Sequence, residues 1–368
     1  MTNDLMGYFW IGVGNLASEG KRSNRKGLIL AGAAIVALAG LFIYDVFFNI
    51  PEYTKSDFSM GTVVTQTLTG NDAEKAAGEI FEAFDNIEQK WLSWRLPNAN
   101  IAKVNEAAGT GFPVADNTVE WLKKTLDVCA SSSGALDITI GRITALWDFG
   151  GEYERLPKKD EISDMLGKVD YRGVEFTGNT VKIARGQSLD MGAVGKGIAC
   201  DEALKILREN DIKSAIISVG GSILLYGGKE DFRVGIRDPE GRPTDYMGVL
   251  TLKSGCISTS GSYEKTLVRD GGTYHHILDP KTGYSAQSGL TSVTVVCDSG
   301  LLTDALSTAC FVLGYENSLP LLEKYNAHAV FIADDRSVKV TPGLAGLFEI
   351  ANNDYTSDSS LTSTGAVQ

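Results

Sequence analysis

The chain has 368 residues, 43% of them hydrophobic and 22% charged, enough for one large domain or two lobes. Its formal net charge is -12, with no basic cluster in the globular part to offset it, so a nucleic-acid partner is not expected. Five scattered cysteines, Cys129, Cys200, Cys256, Cys297 and Cys310, contain no C-x-x-C pair, which excludes zinc-ribbon and dithiol motifs, and their odd number argues against a complete disulfide framework.

The first element is apolar. Residues 28–44 read "LILAGAAIVALAGLFIY" without a charge, and the run continues to residue 50 with only Asp45 interrupting it. That approaches the roughly 20 residues that span a bilayer. Lys21, Arg22, Arg25 and Lys26 precede it, while Asp45 and Glu52 lie at its far end. The positive-inside rule then makes 1–27 a cytoplasmic tail, 28–50 a transmembrane helix, and 52–350 an extracytoplasmic body. A cleaved signal peptide is the competing reading, on "ALA" at 37–39, but the apolar run continues past that point and favours a retained anchor. Residues 351–368 are small and polar, the composition of a disordered tail.

Within the body, "MGTVVTQTLTG" (60–70) is a strand rich in β-branched residues. Residues 72–94 form a long helix with Ala77, Ile80, Phe81, Phe84, Ile87, Glu88 and Trp91 on one side, and 117–134 a second helix ending at Gly134. Short strands follow at 180–184, 214–220, 222–228, 232–239 and 247–253. Helices begin near Lys196 and run from about 301 to 313 and over 318–326, before a closing strand pair at 327–335 and 338–343. Strands and helices do not alternate strictly, so the expected fold is α+β, with mixed, largely antiparallel sheets flanked by helices.

Three stretches carry chemistry. In "SLDMGAVGKGIACD" (188–201) an extended segment turns through glycines into a helix whose Ala199, Ala203, Ile206 and Leu207 face the core. Free N–H groups of its first turn, the helix dipole and Lys196 together suit a phosphate; a plain strand-to-helix turn accounts for the same residues. In "TDALSTACFVLG" (303–314) Leu302, Ala305, Leu306, Ala309, Val312 and Leu313 make the apolar stripe. Asp304, Ser307 and Thr308 fall at i, i+3 and i+4 on the opposite edge. A carboxylate and a hydroxyl one turn apart suit Mg²⁺ better than zinc, although Asp304 is also a good residue for a helix start. In "HHILDPKTG" (275–283) two of the three histidines stand before an Asp-Pro turn, where an imidazole either caps backbone groups or takes a proton.

Taken together with "GALDITIGRI" (134–143), "SVGGSI" (218–223) and "ISTSGSYEK" (257–265), these stretches occur in an order that resembles the FAD:protein FMN transferase family, the ApbE-type flavin transferases, over roughly residues 58–350. The resemblance implies an enzyme that binds FAD and Mg²⁺ on the outer face of the cytoplasmic membrane. It implies cleavage of the FAD diphosphate, attachment of FMN through its phosphate to a threonine or serine of an acceptor protein, and release of AMP. Residue by residue it implies His276 as the base and Asp304, Thr308 and the Ala193 carbonyl as Mg²⁺ ligands. Asp190 and Lys196 would touch FAD, Met60, Ala135, Leu136 and Asp137 would line the flavin nucleotide site, and Ser307 would reach the diphosphate or the metal shell. His275 is then an accessory residue or a bystander.

The chain departs from the family pattern in three places. "GAVGKG" stands for "GGIAKG", "SVGGSI" for "NLGGDI", so that Ser218 and Ser222 replace an amide and an acid, and "NANIAKVN" for "SEISRLN". Phosphoryl transfer is mostly positioning and charge neutralisation, which these motifs supply. Two alternatives share the site: an FAD pyrophosphatase that uses water as acceptor, and a protein that holds FAD without turnover.

Overall fold

The computed structural model describes Gly32 and residues 50–357; the expected tail 1–27 and nearly all of the expected anchor 28–50 lie outside the described residues. Among the described residues no helix is long and apolar enough to cross a membrane.

The centre is a nine-stranded sheet of β1 (Glu52–Ser59), β2 (Thr62–Gly70), β3 (Ile212–Val219), β4 (Ser222–Gly227), β5 (Gly255–Gly261), β6 (Leu290–Cys297), β7 (His328–Ala333), β8 (Ser337–Val340) and β9 (Thr356–Ser357). These strands lie side by side in chain order. Every neighbouring pair is antiparallel except β8 and β9. The sheet is therefore a meander whose connections have been expanded by inserted elements, which is why helices and strands do not alternate along the sequence. β2 shows the two-residue period directly: Val64, Gln66 and Leu68 are buried, while the residues between them are not.

One face of the sheet carries α1 (Ala73–Asn86), α2 (Asp116–Ser131), α3 (Gly195–Glu209), α4 (Gly300–Leu313) and α5 (Tyr315–Lys324), closing a core that includes Leu68, Ile80, Phe84, Ile198, Leu306 and Phe311. The other face is covered by a three-stranded sheet of Phe232–Arg237, Tyr246–Leu252 and Phe348–Ile350. There Leu225, Ile236, Met247, Leu250, Ile257 and Tyr355 pack together. β7 is covered on both sides: Ala329 and Phe331 join the helix-side core, Val330 and Ile332 the other. That double burial explains an unbroken apolar run in place of alternation. A satellite cluster of Ile143, Trp147, Phe149, Ile162 and Leu278 sits under the segment that follows the two histidines.

Three expectations need adjustment. The body does not end at residue 350. The Ala351 N–H donates to the Met247 carbonyl at 2.8 Å, Tyr355 is only 5% exposed, and β9 pairs with β8. Polar composition did not prevent order there, because the covering sheet offers this segment backbone partners; residues 358–368 lie outside the described residues. The long first helix changes at Ile87 into a π-helix, Ile87–Leu92. The edge of α4 opposite the apolar stripe is also buried at Asp304 and Ser307, so the helix has no simple division into an apolar and a polar side.

Candidate active site

The site begins where α3 and α4 cross. A Cβ on Gly197 would lie 1.9 Å from the Gly300 carbonyl oxygen, and one on Gly300 2.2 Å from that of Gly197, so both positions must be glycine for the backbones to touch. This contact brings the first turn of each helix to the other. The Gly197 N–H donates to Asp304 Oδ2 at 2.7 Å. In a helix that N–H would bind the carbonyl four residues back, Ala193, just as the next amide, Ile198, binds Val194. The diversion releases the Ala193 carbonyl from that partner. Asp304 Oδ1 accepts from the Ser222 hydroxyl at 2.7 Å, and Lys196 Nζ stands 3.9 Å from Oδ2. A buried carboxylate (4% exposed) is thus held by one backbone amide, one hydroxyl and a cation.

Behind Asp304 runs a seam of hydroxyls. Ser258 Oγ donates to Ser222 Oγ at 3.1 Å and lies 2.9 Å from Thr303 Oγ1. Ser260 Oγ lies 2.8 Å from Ser307 Oγ and 3.3 Å from Thr308 Oγ1. Ser307 also donates to the Asp304 carbonyl at 2.9 Å and is buried, so its hydroxyl is engaged inside the fold, whereas Thr308 is half-buried. The ligand set expected from the sequence, the Asp304 carboxylate, the Thr308 hydroxyl and the Ala193 carbonyl, would offer a metal only oxygen donors. That chemistry fits a hard divalent cation such as Mg²⁺, and among the described residues no cluster of three or more His, Cys, Asp or Glu competes for a softer one.

The two histidines divide their roles. His275 is buried: its N–H donates to Ser285 Oγ at 2.8 Å, its Nε2 lies 3.2 Å from the Ala286 carbonyl, and its ring meets Phe311 edge-on. His276 is half-buried; its Nδ1, like that of His275, is buried at the atom and has no hydrogen-bond partner, and no side-chain bond fixes the His276 ring. Burial, then the positive charges of Lys265 and Lys196, push its pKa down to about 4, so the ring is neutral at physiological pH. Lys196 therefore acts on both His276 and Asp304. The turn beyond holds the pair in place. Lys281 N–H donates to Asp279 Oδ1, Gly283 N–H to the Asp279 carbonyl, and Trp147 Nε1 to the Gly283 carbonyl at 2.9 Å. Gly283 sits at φ 72°, and a Cβ there would meet Ile162 Cγ2 at 2.6 Å.

The remaining sequence candidates gather on the approach to α3. The segment containing Ala135, Leu136 and Asp137 runs alongside residues 188–190: Gly141 N–H donates to the Ser188 carbonyl and Asp190 N–H to the Ile138 carbonyl. Asp190 Oδ1 accepts from the Gly192 N–H, shaping the turn into Ala193. Ala135 and Leu136 are buried. Asp137 lines a cleft of about 380 Å³ with Gly134, Tyr171, Arg172, Pro280 and Lys281. Its carboxylate is already engaged, accepting from Thr139 N–H and Oγ1 and from Tyr171 N–H; burial pushes its pKa up against those bonds. Met60 occupies the β1–β2 turn at φ 55°, a conformation that costs a side chain about 1 kcal/mol or more. Its N–H donates to Glu88, and its Cε lies 3.6 Å from the Cβ position of Gly195.

Four contributors escaped the sequence reading. Ser222, noted there only as a departure from the family pattern, donates directly to Asp304. Ser260 gathers Ser307 and Thr308. Asn105, inside the divergent "NANIAKVN", pins Leu189 through two bonds, Nδ2 to its carbonyl at 2.9 Å and Oδ1 from its N–H at 2.6 Å. Asp201 accepts from three groups at the start of α4. A hydroxyl or amide in a short motif carries no address for a partner scores of residues away; only the quoted motifs "SVGGSI" and "ISTSGSYEK" marked two of these positions.

Fold and site together describe an α+β protein whose helix crossing holds a buried carboxylate near a lysine, with the charge of that lysine also acting on His276. The ApbE family model matches residues 60–332, and the chain belongs to the ApbE family. It is 30% identical over 337 residues to the FAD:protein FMN transferase of Treponema pallidum, covering 85% of this chain and 93% of that one. It is 27% identical over 280 residues to the enzyme of the same name from Escherichia coli K12, covering 72% and 80%. Among solved structures, the ApbE protein of Thermotoga maritima superposes with a TM-score of 0.76 at 31% identity, covering 81% of this chain and 99% of that chain. The apo flavinyl transferase ApbE of Pseudomonas stutzeri superposes at 0.71 and 26% identity, covering 81% and 97%.

Proposed function

We propose that this chain is an Mg²⁺-dependent FAD:protein FMN transferase acting on a threonine or serine hydroxyl of an acceptor protein. The observation that carries the reading is the joint placement of Lys196, near Asp304 on one side and electrostatically coupled to His276 on the other. In the reaction the acceptor oxygen bonds to the FMN phosphorus, the bond from that phosphorus to the bridging oxygen breaks, and AMP departs. Neutral His276 takes the hydroxyl proton. Its low pKa keeps it unprotonated, and an anionic diphosphate offsetting the charges of Lys196 and Lys265 raises its basicity when the substrate is bound. Lys196 holds the diphosphate by its charge; the Gly195, Gly197 and Ile198 amides of the α3 first turn are already bonded to the Met191 carbonyl, Asp304 and the Val194 carbonyl, so they do not serve as the cradle of free N–H groups expected from the sequence. Asp304, Thr308 and the Ala193 carbonyl would hold the cation, which supplies charge neutralisation at the diphosphate. Met60 and the Ala135–Asp137 segment would line the flavin nucleotide site, with Asp190 on the FAD side of the turn.

We place the body outside the cytoplasmic membrane, tethered through residues 28–50, on the strength of that apolar run and the basic residues before it. The test incubates the full chain with FAD, Mg²⁺ and a candidate acceptor. A yellow acceptor that stays coloured after denaturation supports the transferase. Free FMN without labelled acceptor moves the assignment to a pyrophosphatase, and intact FAD to a binding protein.

A further inference from the structure

We propose that Asp201 is the positioning residue of the cation site: it touches neither substrate nor metal but fixes α4 against α3 so that Asp304 faces the Ala193 turn. The proposal rests on the reading of Asp304 as a metal ligand. Asp201 lies one turn beyond Gly197 in α3, next to the glycine contact. Its Oδ1 accepts from the Gly300 N–H at 2.6 Å, and its Oδ2 accepts from the Leu301 N–H at 3.0 Å and the Ser299 hydroxyl at 3.1 Å. Asp304 lies one turn into α4 and accepts from the first turn of α3 through Gly197 at 2.7 Å. Each helix therefore supplies a carboxylate to the other's N-terminus, where anions are favoured by free N–H groups and the helix dipole.

The two ties differ in what else they must do. Asp304 also faces Lys196 and the oxygens suited to a cation, so its negative charge is shared with a ligand when one binds. Asp201 accepts only from groups of the α4 start, and its hold does not change with ligand. The backbones meet at Gly197 and Gly300, with Cys200 against the contact, and the apolar packing around it carries no directional bond that fixes the register of one helix on the other. The directional bonds of Asp201 take that task, and a slide of even a few tenths of an ångström would move the Asp304 carboxylate relative to the Ala193 carbonyl. The arrangement is that of an outer-shell partner, whose loss commonly weakens metal affinity by about 10–100-fold.

The test measures Mn²⁺ binding by electron paramagnetic resonance in the full chain, without FAD, alongside FAD binding without metal. Wild type should bind Mn²⁺ and Asp304→Ala should not; absence of binding in wild type overturns the ligand reading and this proposal with it. Asp201→Asn keeps the shape but turns an amide NH₂ toward backbone N–H donors, and should weaken Mn²⁺ binding about tenfold or more with FAD affinity within about twofold. Ser299→Ala removes one of the three donors and should weaken Mn²⁺ binding by about two- to threefold. Wild-type Mn²⁺ affinity in a folded Asp201→Asn overturns the proposal. If Asp201→Asn does not fold, wild-type affinity in Ser299→Ala overturns it. Parallel loss of Mn²⁺ and FAD binding in either variant also overturns it, since that reports general loosening.

Discussion

Two buried aspartates on opposite faces of the same sheet meet opposite fates. Asp238, 7% exposed on the side of the covering sheet, accepts from Tyr355 Oη at 2.6 Å, Asn352 Nδ2 at 2.9 Å and the Glu240 N–H at 3.0 Å. These bonds outweigh burial and hold its pKa below the usual carboxylate value. Asp304, 4% exposed on the helix side, accepts from one amide and one hydroxyl and has a lysine nearby. The Asp238 carboxylate latches the end of the body, whereas Asp304 has fewer donors and a lysine close by, the setting in which a buried carboxylate can take a further cationic partner.

Substitutions can break that contrast. The largest loss is expected for His276→Ala, about 10²–10⁴-fold in transfer with FAD still bound; full transfer removes the assignment of the base. His275→Ala, in the well-partnered neighbour, should lower stability while leaving any transfer by the folded fraction intact. Asp304→Ala should reduce transfer by about 10³-fold and abolish its Mg²⁺ dependence, and an unchanged Mg²⁺ titration rules the ligand out. Gly197→Ala forces a methyl against the Gly300 carbonyl and should destabilise the fold by about 3 kcal/mol in denaturant unfolding; a wild-type midpoint contradicts the close crossing. Tyr355→Phe is the mildest, about 1.5 kcal/mol of stability with transfer unaltered; lost activity there would join the latch to the chemistry.

The same contrast has a pH signature. His276 has a folded pKa of about 4 against an ordinary 6.5, so between those values the unfolded chain binds more protons than the folded one. Stability contributed by this group is present above pH 6.5 and is lost as pH falls toward 4, and His276→Ala should flatten that slope in thermal melts. Asp238, whose pKa is lowered, keeps its contribution through this window and loses it only as pH drops below the ordinary carboxylate range. Tyr355→Phe should therefore lower the plateau above the carboxylate range and flatten only the acid limb, leaving the slope between pH 6.5 and 4 unchanged.

Local periodicity and peptide chemistry made much of this protein legible from its residues. The β2 alternation, the α1 stripe and the starts of α3 and α4 read correctly as elements, because each is encoded within a few positions. The strands β1, "EYTKSDFS", and β5, "GCISTSG", were not legible, since polar and small residues there take their burial from neighbours on the sheet. The residues after 350 read as a tail because the strand that receives them, Tyr246–Leu252, is remote in sequence.

The amino-acid order by itself determined which groups were available: a helix bearing Asp304 and Thr308, a glycine turn bearing Lys196, and a histidine before an Asp-Pro turn. Only the tertiary structure decided what those groups do. The Gly197–Asp304 bond joins residues 107 apart and the Ser222–Asp304 bond residues 82 apart. Free energy at such separations comes from packing two helices until their backbones touch, and no local pattern records that contact.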